Sequence, residues 1–388
     1  MLFAAPEPTD HEIEIIQAIE EHRVNLAYAL RQPKRWTGLL SRNTLAKAIQ
    51  GSNSIEGYNV TIDDAVAAVE GEEPLEPKDE AWMAVTGYRA AMTLVLQKAQ
   101  DHFFSFSPEL LKSLHFIMVG YDLSKNPGLW RPGPIFVRDE STGERVYEGP
   151  AVEQAVPLID ELLDGLNGAD KKGMPDFRGA AMAHLNLVMI HPFSDGNGRM
   201  ARCLQTLVLA RSGITDSIFS SIEEYLGRNR RQYYDVLAKV GHGSWHPDRD
   251  AQPWIRFCLT AHYRQAMTLL KRSREIQKLC DELEIMIKRI GLPERSVLAL
   301  ADAAMGYKIR NPTYRNAADV TQVVAGRDLL LLAKANLLEP HGEKRGRYYV
   351  AAPSILEIRR RVAEPKRIPD PFSLPENPSL PGMEGLVR

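Results

Sequence analysis

Apolar residues recur at helical spacing along most of the chain, so the predicted elements are helices almost throughout. Ile13, Ile16, Ile19, Val24, Ala27 and Leu30 predict an amphipathic helix over 11–30 that ends near Pro33. A second is expected over about 41–49, a third after Thr61-Ile62-Asp63, and others over 81–100, 108–120 and 156–166. Ala180, Ala183, Leu187 and Ile190 line a buried helix over 176–190. It ends before Pro192, because the residue ahead of a proline is pushed out of the helical region. Met200, Cys203, Leu204, Leu207, Val208 and Ala210 carry the next helix from Arg199 to a stop at Ser212-Gly213. One apolar helix then spans 254–270, and another passes through Leu279, Leu283 and Ile287 to Gly291-Leu292-Pro293. Strand signals are few. Gly128 to Gly133 breaks the helical pattern, and Pro134 to Val137 with Arg145 to Tyr147 flank the turn residues Asp139 to Gly143 as a β-hairpin. Short helices over 294–305 and 313–318, a longer one over 318–335, and a hairpin from 337–339 and 347–350 follow, in the order of a winged helix. The fold class is mainly α.

The chemistry is densest where two of these helices meet. His191, Asp195, Gly196, Asn197, Gly198, Arg199 and Arg202 fall within twelve residues, in the order helix, loop, helix. The first N–H groups of a helix lack partners inside it and carry the positive end of its dipole, so an anion belongs at this entry. Gly196 and Gly198 permit positive φ and close approach of oxygens to backbone amides. Arg199 and Arg202 lie one turn apart and offer two guanidinium forks on one face. Asp195 suits Mg²⁺ shared between one carboxylate, phosphates and water. His191 can accept a proton near neutral pH. Together these form a site for a nucleotide's phosphates. Ser52-Asn53-Ser54-Ile55-Glu56-Gly57, read alone, is a turn or helix stop.

The segment from His191 to Arg202 resembles the signature of the Fic family, H-x-F-x-[D/E]-G-N-G-R-x-x-R, at every fixed position. The resemblance implies a helical Fic core and transfer of AMP from ATP to a Ser, Thr or Tyr hydroxyl of a target protein, self-modification included. It implies that His191 is the general base and that Asp195 holds Mg²⁺. Gly196, Asn197 and Gly198 would form the anion hole, and Arg199 and Arg202 would contact the β- and γ-phosphates. Tyr234 falls in a segment, Arg228 to Tyr234, similar to the one that borders adenine in the family. The hairpin resembles the family's flap, which implies that Ile135, Phe136 and Val137 hold the target by strand addition; a purely structural hairpin is the other reading. Ser52, Glu56 and Gly57 match the family's inhibitory motif [S/T]-x-x-x-E-[G/N]. A Glu56 carboxylate paired with Arg202 would take the place of the γ-phosphate, and in some relatives that glutamate supports removal of AMP.

The chain has 388 residues, 44% hydrophobic and 25% charged, with a net charge of −2, which is the composition of a globular protein with two or three domains. The divisions expected are 1–80 (N-terminal helices with the inhibitory motif), 81–271 (Fic core), 272–355 (winged helix-turn-helix) and 356–388, a flexible tail with six prolines between Pro365 and Pro381. The Glu-rich run over 70–80 is expected to be an exposed connector. Cys203, Cys258 and Cys280 are expected to be buried free thiols in a reducing, cytoplasmic compartment. No apolar run reaches the roughly 18 residues of a membrane span. Residues 286–350 hold eleven Lys and Arg against six Asp and Glu, with Lys344, Arg345 and Arg347 on the wing. That surface is expected to serve either DNA, where Thr321, Gln322 and Arg327 are the base-reading side chains, or protein docking and homodimer formation. A DNA-binding regulator whose Fic core senses nucleotide is the alternative function.

Overall fold

The computed structural model describes all residues except 31–35, 76–78, 139–141, 171–176, 212–218, 344–345, 366 and 374–388. The expected hairpin turn at Asp139, the helix stop at Ser212-Gly213, the wing residues Lys344 and Arg345 and the last residues of the tail therefore lie outside the described residues. Helices dominate. In chain order α1 is Asp10–Leu30, α2 Thr37–Ile55, α3 Ile62–Glu70, α4 Glu80–Lys98 and α5 Pro108–Val119. The strands β1 (Phe136–Arg138) and β2 (Arg145–Glu148) precede α6 (Val152–Asp170), α7 (Phe177–Ile190), α8 (Asn197–Ala210), α9 (Glu223–Arg228) and α10 (Arg230–Gly241). Then follow β3 (Gly243–Ser244), α11 (Gln252–Ile290), α12 (Ser296–Ala304), α13 (Asn311–Ala318) and α14 (Gln322–Lys334). The chain continues through β4 (Leu338–His341), β5 (Tyr348–Ala351) and α15 (Pro353–Val362). Among the described residues no helix is long and apolar enough to cross a membrane.

The starts and stops follow local chemistry. Asp79, Ser107 and Thr61 each accept a backbone N–H at the start of α4, α5 and α3. Left-handed Gly71 and Gly291 end α3 and α11. The site-bearing pair α7 and α8 buries Leu187, Ile190, Met200 and Leu204 against α4, α5 and α6, through Tyr88, Leu114 and Ile159. On its other side Phe177 and Leu185 meet Ile15 and Ile19 of α1, Tyr233 of α10 and Trp254 of α11. The hairpin is present, and β3, which the pattern did not announce, pairs parallel to β2, leaving β1 at the edge of the sheet.

Three expectations change. The helices expected over 254–270 and through Ile287 are one element, α11, 39 residues long. No proline or glycine interrupts 254–290, and Leu269, Ile276, Leu279 and Leu283 keep one face buried, so nothing breaks the helix at Lys271. The boundary drawn after Lys271 thus crosses a continuous helix.

Second, the described part of the Glu-rich run is exposed at Glu73, Asp79 and Glu80 as expected, but Glu72 and the helices on either side tie it to the C-terminal elements. Glu72 accepts from Arg310 at 3.1 Å, the Asp63 carboxylate accepts from the Lys308 N–H at 2.7 Å, and buried Arg42 of α2 binds Asp302 of α12. Leu39, Leu40 and Ala65 of the first helices share a core with Leu300, Leu329 and Ile355 of the last. Third, the tail expected from 356 begins as helix. Ile355 and Ile358 of α15 are buried, Glu364 grips Arg274 and Lys278 at 2.8 and 3.1 Å, and Pro371 is buried. The proline count hid the apolar pair that binds this segment. The three helices and hairpin of residues 296–351 run in the expected order; Thr321 is taken up as the N-cap of α14.

Helices α2 and α9 touch backbone to backbone at two glycines. A Cβ on Gly51 would lie 2.4 Å from the Glu223 carbonyl oxygen, and one on Gly227 would lie 2.6 Å from Gly51 Cα. Gly51→Ala must therefore spread the two helices, at a cost of about 1–3 kcal/mol. A lower thermal midpoint is the expected result; an unchanged one would mean that the helices separate freely.

Candidate active site

The α7 helix ends on His191, which takes a left-handed φ of 53° while its N–H still bonds Leu187 O at 3.0 Å. The ring Nδ1 lies 3.0 Å from Val188 O. A carbonyl can only accept, so Nδ1 carries the hydrogen and Nε2 keeps its lone pair. Desolvation lowers the pKa of this imidazole, and Arg131 adds to the effect against the opposing pull of the Val188 carbonyl, Glu56 and Asp195. The ring is thus neutral at pH 7.

The loop that follows is stapled from three directions. Phe193 is fully buried and stacks on His115 with ring centroids 3.9 Å apart. His115 Nδ1 accepts from the Gly128 N–H at 2.9 Å, so its Nε2–H donates to Asp195 O at 3.0 Å. Asn197 holds the backbone of Phe193 with both ends of its side chain, accepting at 2.9 Å and donating at 2.8 Å. Its amide is thereby spent on the loop, and only its backbone N–H is left for an anion. Buried Arg131 bonds Gly133 O and Pro150 O at 2.6 Å each, and its own N–H bonds Pro192 O at 2.8 Å. Sequence reading passed over His115 and Arg131. His115 sat unremarked among the apolar residues of a helix, and Arg131 in a stretch read only as a helix breaker.

Gly196 opens α8 in the left-handed region, φ 75°. The Met200 N–H bonds Gly196 O at 2.9 Å, so the amides of Asn197, Gly198 and Arg199 precede the first hydrogen bond of the helix. Gly198 departs from expectation, because it is not among the positive-φ residues and lies within α8. Its missing side chain matters for another reason: a Cβ there would lie 2.4 Å from Glu56 Oε1 and 3.2 Å from Arg202 Nη1. The Glu56 carboxylate rests against the helix start where an anion is expected.

Arg199 is wholly buried, and none of its three guanidinium nitrogens has a hydrogen-bond partner among the described residues. Its nearest charge is Asp195 at 3.8 Å, and the Tyr58 ring lies 5.1 Å away. Arg202 is fully paired instead. Nε donates to Ser52 Oγ at 2.7 Å, and Nη2 donates to Ser52 O at 3.1 Å and to Glu56 Oε1 at 2.7 Å. Glu56, Tyr233 and Tyr88 together hold its pKa above the usual arginine value in spite of burial.

The segment carrying Ser52 and Glu56 is the end of α2, longer than the helix expected over 41–49. Tyr58 N bonds Asn53 O at 3.1 Å and Gly57 N bonds Ser54 O at 3.2 Å, with Gly57 at φ 83°. This is the Schellman stop. The same geometry that ends the helix brings Glu56 onto Arg202.

Behind Arg202 runs a chain of bonds whose direction is set by its first donor. Arg202 Nη1 donates to the Tyr233 hydroxyl at 3.5 Å, which donates to His184 Nε2 at 3.0 Å. His184 Nδ1–H then donates to Gln205 Oε1 at 2.6 Å, and Gln205 Nε2–H to His262 Nε2 at 3.1 Å. Burial lowers His184 and His262 to about 3, and His115 to about 4. Unfolded imidazoles take up protons below about pH 6.5, whereas these three stay neutral until far lower pH, so stability is lost as pH falls from 6.5 towards 4. At about pH 5 the loss is about 2 kcal/mol per histidine. Thermal midpoints compared at about pH 7 and 5 test this, and equal midpoints would contradict the neutral assignment.

Asp195 stands at the rim with a half-exposed carboxylate, 3.6 Å from Lys125 Nζ. Among the described residues no cluster of three His, Cys, Asp or Glu could hold a metal alone. A single carboxylate still fits Mg²⁺ that takes its other oxygens from phosphates and water. Tyr234 lies half exposed, its hydroxyl donating to Ile55 O at 3.0 Å, next to Glu56 in the chain. On the hairpin Ile135 and Val137 are half-buried, and Phe136 is exposed with the Arg145 guanidinium 3.7 Å over its ring. All three cysteines are buried and free.

A neutral imidazole on the loop before a helix start, with a buried guanidinium that lacks hydrogen bonds on that helix, marks out a helix–loop–helix site in a mainly helical protein. Residues 105–209 match the model of the Fic/DOC family, so this segment is a Fic domain. It is 30% identical over 219 residues to the protein adenylyltransferase Fic of Nematostella vectensis, covering 54% of this chain and 45% of that protein. It is 42% identical over 210 residues to the protein of the same name from Aedes aegypti, covering 54% and 38%. The chain thus spans less than half the length of these relatives. A Fic family protein from Desulfovibrio desulfuricans G20 superposes with a TM-score of 0.58 at 19% identity, over 90% of this chain and 99% of that one. A Fic domain containing signaling protein from Bacteroides thetaiotaomicron superposes with 0.51 at 18%, over 68% and 97%. At such identities the likeness is one of fold.

Proposed function

We propose that the chain transfers AMP from ATP to a hydroxyl of a protein and that Glu56 restrains the transfer. The observation that carries the reading is Arg199, a buried guanidinium without hydrogen bonds in the first turn of α8, on the helix that the loop from the neutral His191 leads into. Such a group is costly unless an anion completes it, and a triphosphate supplies that anion. The acceptor oxygen attacks the α-phosphorus, the bond to the β-phosphate oxygen breaks, pyrophosphate leaves, and the hydroxyl proton passes to His191 Nε2. Positioning and charge neutralisation carry most of such a step. Asp195 would hold Mg²⁺, which when bound neutralises phosphate charge. The edge strand β1 offers its open side to an extended target segment. The names of the relatives, protein adenylyltransferase, support the same reaction.

The test is the fate of the label. Glu56→Gly protein is incubated with a cell extract and with ATP labelled at the α- or the γ-phosphate. Relative to the same extract with Glu56→Gly/His191→Asn protein, label from the α position enters protein in excess and label from the γ position does not. An excess from the γ position, or from neither, would overturn the assignment.

A further inference from the structure

A cleft of about 450 Å³ opens on the side of α2 that faces away from the site, between α2, α9 and the turn after α12. At 3.6 residues per turn, Lys47, Gln50 and Ser54 lie on the helix face opposite Ser52 and Glu56. The cleft combines cations with apolar wall. Lys47 makes no hydrogen bond or ion pair with any described residue, and Arg228 and Arg272 share the one carboxylate of Glu224 at 2.7 and 2.8 Å. Of the residues that line the cleft, two cations, Lys47 and Arg228, thus face one anion, Glu224, which Arg272 outside the lining also engages. Tyr307 forms part of the wall, and its buried hydroxyl has no hydrogen-bond partner among the described residues. Val60, Ile62 and Met305 supply the apolar side.

We propose that this cleft binds a small molecule bearing a phosphate or carboxylate group, the acid held between Lys47 and Arg228 and its body against Val60, Ile62 and Met305. Burial, with Arg272 and Arg228 nearby, lowers the Lys47 ammonium to about 8, which is the state a bound acid would reverse. The cleft exists with Glu56 on Arg202, so a ligand that fits it stabilises α2 in that position and deepens the restraint. That consequence rests on the reading of Glu56 given above; the binding itself does not.

Pyridoxal 5′-phosphate is a suitable probe, since it joins a phosphate to an aromatic aldehyde. The unprotonated Lys47 amine adds to the aldehyde, water leaves, and borohydride reduces the imine to a stable secondary amine that peptide mass analysis locates. At about pH 8 Lys47 is modified at least about tenfold faster than exposed Lys239. Excess inorganic phosphate protects Lys47 severalfold, and Arg228→Gln, a substitution at a largely exposed side chain, weakens that protection. No preference for Lys47, a preference that phosphate leaves unchanged, or full protection in Arg228→Gln would each overturn the site. None of these readings involves nucleotide transfer, so they stand or fall apart from the proposed reaction.

Discussion

His191→Ala lowers AMP transfer by about 10²–10⁴-fold, the usual contribution of a positioned general base. The Nδ1–H···O bond to Val188 leaves Nε2 as the free acceptor, so the substitution removes the imidazole acceptor that the loop presents before the helix start. Nucleotide affinity changes little, because the proposed phosphate contacts belong to the α8 amides and to Arg199. The left-handed backbone at this position disfavours alanine, so a lost activity could reflect a disturbed loop. His191→Asn removes that ambiguity, since asparagine tolerates the left-handed region and cannot take the proton. Both variants should bind ATP, with unchanged thermal shift on its addition, and neither should transfer. Transfer at the parent rate in His191→Asn would end the case for a general base. The base form is the working one and its pKa is lowered by desolvation, so kcat/KM falls on acidification along a limb below the ordinary 6.5.

Glu56→Gly raises transfer severalfold and at the same time lowers the stability of the nucleotide-free protein. Both effects have one cause. The carboxylate lies 2.7 Å from Arg202 and within 2.4 Å of the position a Gly198 side chain would take, so it occupies the anion's place with its own charge. Removing it opens that place. It also leaves Arg202 buried with only Ser52 and Tyr233 as partners, and stripping one member from a buried pair costs about 3–5 kcal/mol. ATP supplies the missing charge, so its stabilising effect on the variant exceeds that on the parent. Glu56→Gln keeps the shape without the charge and falls between. An unchanged rate in Glu56→Gly with His191 intact would sink the restraint, whatever the thermal midpoint does.

Much of this is legible in the sequence. The helices around the site follow from apolar spacing and stop signals, and the helix–loop–helix at Pro192 follows from what proline and glycine permit. Long-range partners were not legible. Gly198 reads as a second flexible glycine until Glu56, far off in sequence, is found against it. Arg199 and Arg202 look equivalent in sequence, yet one is wholly paired and the other has no hydrogen bonds, because only Arg202 lies under the end of α2. His115 and Arg131 could not be found, since each acts on backbone atoms of distant residues that no sequence pattern marks.

What the sequence determined alone is therefore local: where helices begin and end, and that residues 191–202 place a proton acceptor, a carboxylate, open amides and two guanidinium groups at one helix entry. Tertiary structure decided which of those groups are already satisfied, that α11 runs unbroken past the expected boundary, and that the first and last helices share a core. The reason is that helix stops depend on neighbours a few residues away, whereas pairing and burial depend on residues brought together only when the chain closes on itself.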